Sequence, residues 1–137
     1  MNRRILVVED NQPNRELLCD WLEAEGFEVI ATVDLEQSFA AFKFQPPHAV
    51  LLDVQLDLED GLSLVKWIRQ DPKFFRIPVI AVTAHAMVAD HDRVMQAGCN
   101  TCISKPIDFK LLRKQLGQCL DHAESLGHPS TLQNVKG

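Results

Sequence analysis

Short apolar runs alternate with longer amphipathic ones along most of the chain. Ile5-Leu6-Val7-Val8, Ala49-Val50-Leu51-Leu52 and Val79-Ile80-Ala81-Val82 are continuous apolar stretches, the pattern of strands covered on both faces. Phe27 to Ala31 and Thr101 to Ser104 read as two further strands. From Pro13 to Glu25, Leu17, Leu18, Trp21 and Leu22 recur at helical spacing, and Gly26 supplies the left-handed conformation that ends many helices. Asp34 is a candidate N-cap for a helix carrying Leu35, Phe39 and Phe42, which Pro46-Pro47 stops. Leu62, Val65 and Ile68 share one face of a third helix closed by Asp71-Pro72, and Met87 to Ala97 forms a fourth ended by Gly98. Phe109, Leu112, Leu116 and Leu120 line a fifth, which Asp108 can cap.

Five strands alternating with five helices predict an α/β fold: a doubly wound parallel sheet, covered on both faces and joined by right-handed crossovers. The expected domain spans residues 1–122. From about Glu124 the sequence turns polar, with Gly, Pro, Ser and Asn, so residues 123–137 are expected to form a flexible tail.

At 137 residues there is room for one domain with a proper core and not for two. The net charge of -5 and the scattered basic residues argue against direct nucleic-acid binding, which draws on clustered Lys and Arg. No apolar segment approaches a membrane span, and Met1-Asn2-Arg3-Arg4 is followed by too short an apolar run for a signal peptide. A cytoplasmic protein with no membrane insertion is therefore expected. Of the four cysteines, Cys99 and Cys102 form a C-x-x-C. No second pair or His cluster completes a zinc site, and a redox pair would sit at a helix N-terminus, whereas Cys102 opens a short apolar run; small buried thiols are the expectation for this pair.

Candidate chemistry follows the strands. The first ends in Glu9-Asp10, the third in Asp53, the fourth in Thr83 and the fifth in Ser104-Lys105. In an open parallel sheet, ligands bind outside the carboxyl ends of the strands where the strand order reverses. With order 2-1-3-4-5, Glu9, Asp10 and Asp53 crowd together, and Thr83 and Lys105 close the same pocket. Three packed carboxylates must take up protons or share a cation, and Mg²⁺ suits carboxylates, waters and a phosphate oxygen. Lys105 offers charge and three donors to a phosphate, and Thr83 a hydroxyl. Asp53, the central carboxylate, is the candidate nucleophile toward phosphorus. Singly, each of these residues is as readily a turn or cap residue; the ordered set is the signal.

Ile-Leu-Val-Val-Glu9-Asp10-Asn11, Leu-Leu-Asp53 with Gly61 eight positions on, Val-Thr83-Ala84 and Ser104-Lys105-Pro106 together resemble the receiver domain of two-component response regulators, over roughly Arg3 to His122. The resemblance implies a flavodoxin-like (βα)5 fold, with Asp53 as phosphoacceptor from a histidine kinase or histidine phosphotransfer protein. It implies Mg²⁺ held by Asp10, Asp53 and the backbone carbonyl of Gln55, with Glu9 acting through a water. Thr83 would be the switch hydroxyl, Lys105 the phosphate partner, and the Lys105-Pro106 peptide cis. Gln55 and His85 stand where the family tunes loss of the phosphoryl group, and the small Ala84 leaves the pocket open to a bulky donor. Output is expected through contact of the fourth helix, fifth strand and fifth helix with a target protein. The protein would catalyse only its own phosphorylation and dephosphorylation.

Two positions depart from the family's pattern. Asp57 stands where a Pro is usual, which implies a more mobile and more acidic loop. Cys102 stands where an aromatic residue usually swings inward with the switch hydroxyl. A single-domain regulator is expected, with a phosphorelay intermediate, a receiver fragment of a hybrid kinase, or a non-phosphorylated pseudo-receiver as alternatives. A phosphohydrolase of the haloacid-dehalogenase type also uses a strand-end Asp, but needs a second Asp where Gln55 stands.

Overall fold

The computed structural model describes residues 3–84 and 88–127. The apolar runs form β1 (Arg4–Val8), β2 (Glu28–Thr32), β3 (Ala49–Asp53), β4 (Val79–Thr83) and β5 (Thr101–Ser104). Between and after them lie α1 (Gln12–Ala24), α2 (Leu35–Phe44), α3 (Leu62–Gln70), α4 (Val88–Ala97) and α5 (Phe109–Gly127). All strand pairs are parallel and the order is β2-β1-β3-β4-β5, the flavodoxin-like arrangement expected.

Alternate strand residues serve opposite faces because strand side chains have a period of two. Ile5, Val7, Leu51, Ile80 and Ile103 pack with Leu18 and Leu22 of α1 and Leu112, Leu116 and Leu120 of α5. Leu6, Val8, Val50, Leu52, Val79 and Ala81 pack instead with Phe42, Leu64, Val65, Ile68 and Val94 from α2, α3 and α4. An aromatic cluster closes this second layer: Phe42 stands 5.5 Å from Trp67 and 5.2 Å from Phe74, ring centre to ring centre.

Local signals act as expected at several element ends. Asp34 caps α2 by accepting from the Gln37 N–H at 2.9 Å, and Asp108 Oδ1 accepts from Lys110 and Leu111 at the start of α5. Gly26 and Gly98, with φ of 96° and 114°, end α1 and α4 in the region that side chains disfavour. Met87, the expected start of the fourth helix, lies outside the described residues.

Three expectations need correction. Leu17 is 57% exposed despite its helical spacing, because α1 turns only Leu18 and Leu22 fully inward. β2 is shifted by one residue, ending at Thr32 rather than Ala31. Thr32 is held there by donating to the Val7 carbonyl at 3.2 Å and by sharing a 2.9 Å bond with the buried Ser38 hydroxyl. The last helix continues to Gly127, into the stretch expected to be tail. Near its end Glu124 pairs with Arg3 at 2.8 Å, which ties that turn back to the start of the sheet.

Candidate functional site

The strand register builds the site. Val8 pairs with Leu52, so the next residues, Glu9 and Asp53, emerge side by side at the carboxyl edge of the sheet. Asp53 pairs in turn with Val82, which puts Thr83 one step beyond it. Thr83 pairs with Ser104, and its carbonyl accepts from the Lys105 N–H at 2.8 Å. The Lys105–Pro106 peptide is cis.

Glu9, Asp10 and Asp53 each offer a carboxylate oxygen within 4.8 Å of the others. Glu9 is 1% exposed and Asp53 5%, so both are removed from bulk water. Lys105 Nζ donates to Asp53 Oδ2 at 3.0 Å and stands 3.6 Å from Glu9 Oε1. The other Asp53 oxygen accepts from the Gln55 main-chain N–H at 2.9 Å. Asp53 is thus held at both oxygens, a fixed orientation for a prospective nucleophile.

The charges are unbalanced. Burial pushes the Glu9 carboxyl up to about 7, helped by its hydrogen bond to Asp53 and the Asp53 charge, against the pull of the Asn11 amide and of Lys105. Burial draws Lys105 down, but its hydrogen bond to Asp53 and the charges of Asp53 and Glu9 outweigh it, and the ammonium is held above its ordinary range. One ammonium does not neutralise three carboxylates, and a proton on Glu9 makes up part of the difference. The donor set of hard oxygens fits a small divalent cation.

All of the sequence-predicted site residues in the described part converge here. Thr83 is buried at 3% exposure, and the Gln55 side-chain oxygen accepts from the Ala84 N–H at 3.1 Å. His85 lies outside the described residues. The Asp10-Asn11-x-x-Asn14-Arg15 stretch, which resembles that of relay and hybrid-kinase receivers, gave Arg15 no role; its Nη1 donates to the main-chain carbonyls of Glu9 at 3.0 Å and Asp10 at 3.4 Å. Asn11, whose stretch could start a helix, caps α1 on Asn14 and donates its N–H to Glu9 Oε2. The Asn11-x-x-Asn14 spacing, that of a helix N-cap, was the available signal. The loop after Asp53 is also anchored, against expectation: the Asp57 N–H donates to Asp10 Oδ2 at 2.6 Å.

The thiols are all free. Burial drives Cys99 up to about 12 and raises Cys19, Cys102 and Cys119, the opposite of an activated redox pair. Cys102 is half-buried opposite Ala81 and packs against the layer formed by α2, α3 and α4.

The sequence model of the response regulator receiver domain matches residues 5–117. The chain belongs to the receiver-domain family. This receiver is 41% identical over 107 residues to the polar-differentiation response regulator DivK of Brucella ovis, covering 78% of this chain and 87% of that one. Among solved structures, it is 31% identical to the receiver domain of the sensor histidine kinase PA1611 from Pseudomonas aeruginosa, with a TM-score of 0.80 over 88% of this chain and 99% of that one. That neighbour holds a magnesium ion in its active-site cleft. A CheY-like receiver protein from Methanospirillum hungatei shares the fold at a TM-score of 0.84, with 24% identity over 93% of this chain and 100% of that one. No helix among the receiver's described residues is long and apolar enough to cross a membrane.

Proposed function

We propose that this receiver accepts a phosphoryl group on Asp53 from a phosphohistidine of a histidine kinase or phosphotransfer protein. The observation that carries the reading is the placement of Asp53, buried between two further carboxylates and 3.0 Å from the Lys105 ammonium. In the step, the phosphorus–nitrogen bond of the donor breaks, its electron pair stays on the imidazole, and an Asp53 oxygen forms the new bond to phosphorus. The product is an acyl phosphate.

Asp10 and Asp53, the Gln55 carbonyl and, through a water, Glu9 would hold Mg²⁺. When bound, the ion would supply positive charge to the phosphoryl oxygens. Lys105 would neutralise a second oxygen, and the Thr83 hydroxyl would follow a third. Burial of Asp53 keeps competing water away from the nucleophile. A groove of about 460 Å³ beside Lys105, lined by Asn14, Leu17, Leu18 and Phe109, gives the histidine-bearing partner an apolar seat, and the exposed Leu17 lies within it.

Output would run through contact of the α4–β5–α5 surface with a target protein, by a shift between two pre-existing states. The half-buried Cys102 offers no ring to swing at its own position, so the shift would use something other than an aromatic gate there. A receiver fragment of a hybrid kinase or a phosphorelay intermediate is the second reading, supported by the Asp10-Asn11-x-x-Asn14-Arg15 stretch and, for the kinase fragment, by the 31% identity to a receiver of a sensor histidine kinase. Residues 1–122 would serve as the receiver unit, acting in the cytoplasm.

The test is intact mass after incubation with acetyl phosphate, with and without Mg²⁺, for the wild type and Asp53→Ala. A single Mg²⁺-dependent adduct, absent from the variant, is expected. An adduct that persists in Asp53→Ala, or none under any condition, overturns the reading, the second outcome in favour of a pseudo-receiver.

A further inference from the structure

The loop between β3 and α3 reaches back across the acidic cluster. Gln55 and Asp60 form an isolated antiparallel bridge that closes the loop on itself. Leu56 is buried in the core beneath it, whereas Leu58 is 95% exposed. From this closed loop the Asp57 N–H donates to Asp10 Oδ2 at 2.6 Å, across 47 positions of sequence. The distance lies just below the usual range for an N–H···O hydrogen bond, in the direction that a charged acceptor favours. Asp57's own side chain is exposed, so main chain and side chain act separately. A proline at this position would have no N–H to give.

The neighbouring carboxylates have their own donors. Asp53 has Lys105 and the Gln55 N–H; Glu9 has the Asn11 N–H. Asp10 takes its donor from Asp57, while the guanidinium of Arg15 is directed to main-chain carbonyls. A carboxylate has about four lone-pair positions on its two oxygens, so one can accept the amide while the group still ligates a cation.

We propose that the Asp57 main-chain N–H is a positioning donor of the cation site, fixing the Asp10 carboxylate and joining the β3–α3 loop to the β1–α1 loop before the ion arrives. The inference rests on Asp10 being a cation ligand, as proposed above. A ligand already fixed loses little freedom when it binds, which is how preorganisation raises affinity. The bond also spreads the negative charge of Asp10 onto a main-chain dipole, which lets three carboxylates stand so close. The residue at 57 thereby sets metal affinity through its backbone.

Asp57→Ala removes the exposed charge and keeps the amide; Asp57→Pro removes both. In calorimetric titrations with Mg²⁺ alone, the Asp57→Pro protein is expected to bind about tenfold more weakly than Asp57→Ala, the size of one hydrogen bond to a charged acceptor. Equal dissociation constants for the two variants overturn the proposal. Nuclear magnetic resonance tests it without the proline: the Asp57 amide proton is expected far downfield in metal-free wild type, still downfield at saturating Mg²⁺, and shifted upfield in Asp10→Ala. An amide indifferent to Asp10→Ala, or one released when Mg²⁺ binds, also overturns it. Wild-type protein that binds no Mg²⁺ sinks the cation reading and the proposal together, a result distinct from tight and equal binding by both variants.

Discussion

Lys105 Nζ lies between two carboxylates, 3.0 Å from Asp53 Oδ2 and 3.6 Å from Glu9 Oε1. The same ammonium therefore serves two opposed demands. In the resting protein it offsets part of the negative charge that a cation would otherwise offset alone. In the proposed phosphoryl transfer it would be a side-chain cation for a phosphoryl oxygen. Lys105→Ala is expected to bind Mg²⁺ severalfold more tightly, because an ammonium competing for the same carboxylates is gone. It is also expected to form the acetyl phosphate adduct at least about tenfold more slowly, because charge stabilisation at the transferring group is lost. Calorimetry and time-resolved intact mass measure the two effects. Movement of both in the same direction would contradict this assignment.

Glu9 gives the metal-free protein a specific pH dependence. Its carboxyl is raised from 4.5 in the ordinary case to about 7 by burial and by Asp53. The folded state therefore holds a proton that the unfolded chain releases. The stability tied to that proton is complete below about pH 4.5 and is lost as pH rises through about 7. Glu9→Gln, which keeps the neutral shape, should gain on the wild type across that window when urea unfolding is followed in the presence of a chelator. A gap between the two proteins that stays constant from pH 4.5 to 7.5 would show that Glu9 ionises normally.

Gly61 is needed for space. Its φ of -57° is open to any residue, but a Cβ there would stand 2.9 Å from the Asp53 carbonyl oxygen and 3.1 Å from the Val54 Cα. Both are backbone atoms that cannot swing aside. Gly61→Ala should cost about 1–3 kcal/mol, the usual range for overpacking, and should displace Asp53 enough to slow adduct formation. Urea midpoints and adduct kinetics would test this together, and a variant matching the wild type in both would mean that the backbone relaxes freely.

Arg69 holds the opposite pole of the molecule. Its guanidinium donates to the carbonyls of Gly98 at 2.9 Å, Phe75 at 3.0 Å and Ile77 at 2.7 Å, and to Asn100 Oδ1 at 2.8 Å. That same Asn100 oxygen accepts from the Val79 N–H at the start of β4. Arg69→Met should cost about 2–4 kcal/mol, since it strips several acceptors of their donor. Arg69→Lys should recover little of that, because a point charge does not reproduce a planar fork. Denaturant unfolding of the two variants checks the order; full rescue by lysine would mean that charge alone matters here.

The parts of the site that were legible in the sequence were those carried by strand ends. Glu9, Asp10, Asp53, Thr83 and Lys105 each follow an apolar run, and a parallel sheet with this strand order brings such positions together whatever the details of packing. Leu17 was misplaced because helical spacing gives a stripe, not its edge: Leu18 and Leu22 fill the stripe and Leu17 falls outside it. The one-residue shift of β2 was invisible because it depends on Thr32 and Ser38 satisfying each other inside the fold. The contacts of Arg15 and of the Asp57 amide were not legible for a related reason. They act on or through main-chain groups, and no side-chain pattern marks a backbone donor.

The alternation of side chains along the central strands has a further consequence. Val7 and Val8 are adjacent in sequence, yet they belong to separate apolar layers divided by the sheet. The molecule therefore has two cores with a common wall, one under α1 and α5 and the other under α2, α3 and α4. Losses in one should be nearly independent of losses in the other, so that Leu116→Ala and Phe42→Ala combine within about 0.5 kcal/mol of their sum. A receiver built this way can exchange the residues of one layer without renegotiating those of the other, while the carboxyl edge of the sheet, where both layers end, keeps the same five side chains.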